Sequence, residues 1–168
     1  TLDRPGLEYV RAGIALQAYI PDSFLGLQEI CVWARKRHER GHGPVTIRIV
    51  KGANMEMERV EASLRGWPQA PYKTKRETDA NYKKMLHECL RAENRTGINV
   101  GVASHNLFEL GYAFALTEAA KAWDSVHFEM LEGMANAQRR ALFEKASDVR
   151  SEEHTSELQS RFGISYAV

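Results

Sequence analysis

Cysteine is scarce in this chain. Its two cysteines, Cys31 and Cys89, lie in helical patterns and lack the spacing of metal ligands. They supply neither a disulfide framework nor a thiolate metal centre, and read as buried, reduced thiols in a reducing compartment. Charge of one sign is lacking too: 23 Lys and Arg stand against 22 Asp and Glu, and the basic residues are scattered. A nucleic-acid partner is therefore not expected. No apolar run approaches a membrane span, and the chain does not open on a signal-peptide pattern. Internal repeats and low-complexity stretches are absent, as are the GxGxxG and P-loop motifs of dinucleotide and nucleotide folds. What is there is a globular composition, 43% hydrophobic and 27% charged over 168 residues, enough for a sizeable core.

Three short apolar runs deliver polar groups at their C-terminal ends. Gly13-Ile14-Ala15-Leu16-Gln17-Ala18-Tyr19 carries a glutamine, and Ile98 to Ala103 runs into Ser104-His105-Asn106. Val45-Thr46-Ile47-Arg48-Ile49-Val50 leads into Lys51-Gly52 with an arginine inside it. β-Branched residues favour strands, yet a guanidinium in an apolar strand needs an anion or strong acceptors to meet it. Val126 to Met130 is a fourth strand of the same kind. Between them, helical spacing appears at Leu27, Ile30, Cys31 and Ala34; at Met57, Val60 and Leu64; at Tyr82, Met85, Leu86, Cys89 and Leu90; and after Asn106. Met57, Val60 and Leu64 are predicted as an inner helix face. Asp79 is predicted to cap the third helix, Asn106 and Glu109 to form something close to a capping box, and a last helix to begin near Asn136. Strands alternating with helices imply an α/β fold with parallel strands. Polar residues at strand C-termini suit a (βα)8 TIM-type barrel, of which about four β/α units are present.

The last nineteen residues, 150–168, break this pattern. They resemble, by back-translation in one reading frame, a translated sequencing-library adapter. The expectation is a barrel fragment over 1–149 and a disordered, non-native tail over 150–168.

Residue by residue, two readings stand side by side. Arg48 either pairs with a carboxylate in the barrel or serves a site at the strand end. Gln17 either satisfies backbone groups or faces a ligand. Lys51 and Gly52 are either an ordinary βα turn or a place where a ligand approaches the backbone. Ser104 and His105 precede a helix N-terminus, which favours phosphate, while Asn106 reads as the helix cap. Glu129 and Glu132 carry no assignable acid–base role. Together these residues suit a phosphate-bearing cofactor across the barrel mouth. A lyase or aldolase barrel using Lys51 as a Schiff-base amine is the alternative.

The set Leu16-Gln17-Ala18-Tyr19, Arg48 to Ala53, Tyr72-Lys73-Thr74-Lys75, Thr78-Asp79, Ala103 to Asn106 and Met130 to Met134 resembles proline dehydrogenase. In particular it resembles the proline dehydrogenase domain of bifunctional PutA flavoenzymes, over roughly Val10 to Ala146. The resemblance implies a (βα)8 barrel, with these strands as its fourth to seventh. It also implies FAD as cofactor and oxidation of L-proline to Δ1-pyrroline-5-carboxylate on the route to glutamate. Quinone is implied as electron acceptor, with NAD used only in a separate aldehyde dehydrogenase domain. The implied setting is cytoplasmic, the parent being peripheral to the inner membrane.

By the same resemblance Gln17, Arg48, Val50, Lys51, Gly52, Ser104 and His105 hold the cofactor. Arg48 is the catalytic residue at flavin N5, and Asn54 and Leu131 line the substrate pocket. Asn54 stands where relatives often have Tyr, and Ser104 where they usually have Thr. The family's substrate-binding Lys, flavin-site Asp and Tyr-x-x-Arg-Arg clamp are expected outside residues 1–149, so the chain as written is expected to be inactive.

Overall fold

The computed structural model describes residues 2–52, 54–131, 136–144 and 149–152. Strands and helices alternate as β1 (Gly13–Gln17), α1 (Ser23–Glu39), β2 (Val45–Val50), α2 (Met55–Arg65), α3 (Lys75–Cys89), β3 (Ile98–Ala103), α4 (Leu107–Ala120), β4 (Val126–Leu131), α5 (Asn136–Phe143) and β5 (Val149–Glu152). All neighbouring strands are parallel, in the order β1-β2-β3-β4-β5. The fold class is α/β, as alternation predicts, but among the described residues the sheet has five strands rather than four.

Period-two alternation divides the sheet into two unlike faces. Val45, Ile47 and Ile49 of β2, Ile98, Val100 and Val102 of β3, and Val126, Phe128 and Met130 of β4 are buried under helices. From the helix side α1 contributes Leu27, Cys31 and Ala34, and α3 contributes Tyr82, Met85, Leu86 and Cys89. Both cysteines are free and buried. Cys89 donates to Cys31, which holds the Cys31 thiol below its ordinary value and pushes Cys89 up. The opposite face carries Ala15, Gln17, Thr46, Arg48, Val50, Asn99, Gly101, Ala103, His127 and Glu129, by alternation and register. That face is the polar one.

The α2 helix departs from expectation. Met57, Val60 and Leu64 are 72%, 57% and 83% exposed, so the predicted inner face points outward. The reason is competition for the sheet: α3 packs against β2, and α2 is tied on elsewhere. Tyr19 donates its hydroxyl to Glu58, Arg59 donates to the Tyr72 carbonyl at 2.8 Å, and Gly66 ends the helix in the left-handed region. The α3 helix also starts earlier than its Asp79 suggests. Thr74 is the N-cap, exchanging hydrogen bonds with Glu77 in a capping box, and the Glu77 carboxyl is held below its ordinary value by them.

At the other end of α1, Arg37 is fully buried. Its guanidinium donates to the carbonyls of Leu2 at 2.6 Å, Leu7 at 2.8 Å, Glu8 at 2.9 Å and Gly43 at 3.2 Å. The lead-in to β1 is wrapped around this one cation, and Asp3 adds a hydrogen bond from Trp33 at 2.7 Å.

The expected disordered tail needs correction over its first residues. Residues 150–152 belong to β5, paired with β4 in the register Phe128↔Val149 to Leu131↔Glu152. Strand pairing satisfies main-chain groups whatever the side chains, so the edge of β4 accepts an extended segment without asking for an apolar pattern. Residues 153–168 lie outside the described residues.

Replacing Arg37 with Met in the intact domain is expected to cost about 2–4 kcal/mol, since four carbonyls lose a charged donor in a buried setting. Urea unfolding checks this, and a loss below about 1 kcal/mol would show that the loop satisfies itself without the cation.

Candidate active site

The sequence places its candidates at the C-terminal ends of β1, β2, β3 and β4, and the structure brings them to one end of one sheet. Gln17 closes β1 and lies in register with Val50, which closes β2. Arg48 lies two residues back, beside Ala15 of β1 and Gly101 of β3. Leu131 closes β4, with its backbone opposite Glu152. Asn54 occupies the N-cap position of α2. Glu132, Gly133 and Met134, quoted for the family resemblance, lie outside the described residues, as does Ala53.

Arg48 is answered by a carboxylate. Its Nε pairs with Oε2 of Glu129 on β4, and Glu129 Oε1 lies 2.7 Å from Nε2 of His127. The barrel-carboxylate reading of Arg48 is thus realised, at the position where the site reading also puts it. A carboxylate can only accept, so this imidazole nitrogen carries the proton. Sequence reasoning left Glu129 without a role and passed over His127 and Gly101. The signal was available: Glu129 and His127 are two apart on an alternating strand, and a glycine inside a strand marks a close approach.

Lys51 turns the other way. Its Nζ lies 2.5 Å from Asp79 Oδ1 of α3 and 3.2 Å from Glu109 Oε1 of α4, and 5.8 Å from the Tyr82 ring centroid. Asp79 also receives Lys75 at 2.5 Å. Burial raises the Asp79 carboxyl, but hydrogen bonds from Lys51 and Lys75 and their charges outweigh it and hold it below its ordinary value. Burial first, then the charges of Glu109 and Glu129, push the Tyr82 hydroxyl well up, so it stays a neutral phenol. Asp79 is therefore an anchor for Lys51 rather than the helix cap that its position suggested.

Gly52 has φ +116°, and a Cβ there would fall inside the Tyr19 ring. The glycine is demanded by Tyr19, whose hydroxyl holds Glu58 and whose carbonyl accepts from Tyr72 N at 2.8 Å. Tyr19, an unassigned part of the Leu16–Tyr19 motif, therefore shapes the turn after β2.

At the end of β3, Asn106 caps α4 by accepting from the N–H groups of Phe108 at 2.9 Å and Glu109 at 3.4 Å. Ser104 Oγ accepts from Asn106 N at 3.1 Å. The expected capping box is half formed, because the Glu109 side chain goes to Lys51 instead. Two of the helix N–H groups thought available for phosphate are already taken by Asn106, leaving the helix dipole and the Ser104 hydroxyl proton. Desolvation lowers the His105 imidazole, which favours its neutral form.

A proton balance follows for Asp79. Its folded carboxyl sits below the unfolded value of about 3.9, so its stabilising effect is complete above that value and is lost as pH falls through the folded one. Asp79→Asn should destabilise the intact domain at pH 7, with the gap to the unmodified protein closing as pH is lowered below about 4. Paired thermal melts across pH 7 to pH 3 read this directly, and a gap independent of pH would remove the charge from the explanation.

The comparisons with known proteins bear on the family and the fold. The proline dehydrogenase family model matches residues 1–153. No curated protein sequence matches the chain. Among solved structures, PutA from Corynebacterium freiburgense is similar at 40% identity and a TM-score of 0.85, over 95% of this chain and 17% of that one. PutA from Bdellovibrio bacteriovorus is similar at 32% identity and 0.82, over 90% and 15%. PutA from Bradyrhizobium japonicum is similar at 26% identity and 0.71, again over 90% and 15%. The chain thus spans about a sixth of the length of the solved proteins it matches, and by the extent of the family match it belongs to the proline dehydrogenase family.

Proposed function

We propose that this segment forms the flavin-facing part of a proline dehydrogenase barrel within a PutA-type protein, with β1 to β4 as its fourth to seventh strands. The parent oxidises L-proline to Δ1-pyrroline-5-carboxylate. The observation that carries this reading is the single polar face on which Arg48 and Gln17 stand near the C-terminal ends of adjacent strands. An apolar, helix-covered face on the other side leaves that face as the place for chemistry.

The donor set fits FAD. Arg48 offers a cation and Gln17 an amide able both to donate and to accept, beside the small side chains of Ala15 and Ala103. Val50 and Gly52 flank them, and Ser104 and His105 stand at the N-terminus of α4, where a pyrophosphate is favoured. FAD, when bound, would accept the hydride taken from proline. Arg48 would hold positive charge toward the hydride-accepting atom, and positive charge there favours the reduced, anionic ring. Lys51 would contribute less, since Asp79 and Glu109 already compensate its charge. Asn54 and Leu131 would wall the proline pocket.

A Schiff-base lyase finds no support in this geometry. Its amine must be free to attack, whereas Lys51 is committed to two ion pairs. An amino-acid substrate has support from relatives: one PutA structure holds proline in remote sites, and that of B. bacteriovorus was inactivated by N-propargylglycine.

Quinone as electron acceptor, NAD in a separate aldehyde dehydrogenase domain and a cytoplasmic, peripherally membrane-associated parent complete the proposal. Among the described residues no helix is long and apolar enough to cross a membrane. The 168-residue chain alone is proposed to be inactive, because β1 and β5 each pair on one side only among the described residues.

Arg48→Met in the intact flavin-binding domain should lower the rate of proline oxidation by about tenfold or more, since a positive donor at the reacting atom acts mainly in the transition state. Steady-state kinetics with a measured flavin content test it. Near-normal turnover with full flavin occupancy would make Arg48 a structural charge only.

A further inference from the structure

We propose that Glu129 is a positioning residue for Arg48, acting through a gap that Gly101 keeps open. The inference rests on the placement of Arg48 proposed above and extends it to residues that placement does not use. Arg48 and Glu129 stand on β2 and β4, with β3 between them. Neighbouring parallel strands lie about 4.8 Å apart, so the two side chains must bridge nearly twice that across the middle strand.

They do so over Gly101. That residue is paired with Arg48 on one side and His127 on the other. A Cβ at 101 would overlap Glu129 Oε1 and stand 3.0 Å from His127 Nε2. Any side chain at 101 therefore occupies the space through which the carboxylate passes. The backbone of Gly101 does not itself need a glycine conformation, since it has no positive φ. The space above it is what needs the missing side chain.

His127 is the second arm. It is buried, as is Glu129, and holds Oε1 at 2.7 Å while Oε2 faces the guanidinium. A carboxylate gripped at both oxygens cannot rotate away, so it fixes where the Arg48 guanidinium points and offsets part of its charge. The field that the polar face presents is then set by a pair rather than by a lone cation. Removing the carboxylate charge leaves the cation uncompensated and free to turn.

The test uses the intact flavin-bound domain with Glu129→Gln, Gly101→Ala, Arg48→Met and the Arg48→Met/Glu129→Gln double variant. Flavin content and the two-electron midpoint potential are measured for each. Glu129→Gln is expected to shift the potential to more positive values at unchanged flavin content, because an uncompensated guanidinium stabilises the reduced ring. Gly101→Ala should shift it in the same direction, by displacing the carboxylate.

In the Arg48→Met background, Glu129→Gln should add no further shift, as expected of a residue acting through Arg48. An unmoved potential in Glu129→Gln, with a shifted one in Arg48→Met, overturns the proposal and leaves the functional reading standing. An equal shift from Glu129→Gln in both backgrounds also overturns it, since the carboxylate would then act directly. If Arg48→Met itself leaves the potential unmoved, the placement of Arg48 fails and this proposal fails with it. Should Gly101→Ala not fold, the Glu129→Gln comparison decides alone.

Discussion

A guanidinium removed from water has to be met by an anion or by several carbonyl groups, and this chain meets Arg37 and Arg48 in opposite ways. Arg37 is surrounded by main-chain carbonyls and serves the fold, gathering the segment before β1 against the end of α1. Arg48 is met by Glu129 across the width of a strand, and stays partly accessible on the polar face. The first arrangement saturates the cation; the second orients it and leaves it something to do. Much of the sheet's character follows from that second pair. It requires a glycine on β3, and an acid and a histidine two apart on β4.

Strands β1 to β4 were legible because their chemistry is one-sided, whereas β5 carries no such pattern and was not. In β2 the alternation of Val45, Ile47 and Ile49 with Thr46, Arg48 and Val50 states both the strand and its two faces, and β3 follows the same rule. The helices were legible where they bury a stripe on the sheet, as α3 does with Tyr82, Met85, Leu86 and Cys89. The same rule misled at α2, where Met57, Val60 and Leu64 repeat at helical spacing yet point outward. Periodicity reports that a helix has an apolar face; it cannot report that another helix has already taken the sheet. Asp79 misled for a related reason. An acid near a helix start suits a cap, but a lysine two elements away had a stronger claim on it.

The partners of the candidate-site residues were less legible than the candidates themselves. Arg48, Gln17 and Lys51 announce themselves by sitting at strand ends. Glu129 and Glu109 become visible only once register and helix packing bring them to Arg48 and Lys51, from 81 and 58 positions along the chain. Such long-range pairing has no local signature beyond the period that sets which face a residue occupies. The cysteines show the same limit: helical spacing buries each, but only the packing of α1 on α3 makes one thiol the donor to the other.

The two basic residues of the Arg48-to-Lys51 turn divide labour by parity. Three positions apart on an extended run, they fall on opposite faces, so the chain sends one cation to the polar face and the other toward the helices. There Asp79 and Glu109 tie Lys51 to α3 and α4 at once, and Tyr19 fills the space that Gly52 leaves beside it. The turn is thus clamped from the helix side through Lys51 and from β1 through Tyr19. A rigid turn fixes the backbone of Val50 and, through it, the pitch of the strand that presents Arg48. Holding a cation in place by its neighbours' backbone and by Glu129 avoids the cost of ordering a long side chain when a ligand arrives. The same economy explains why the polar face needs so few charged residues: the ordering is done in the fold, before any binding event.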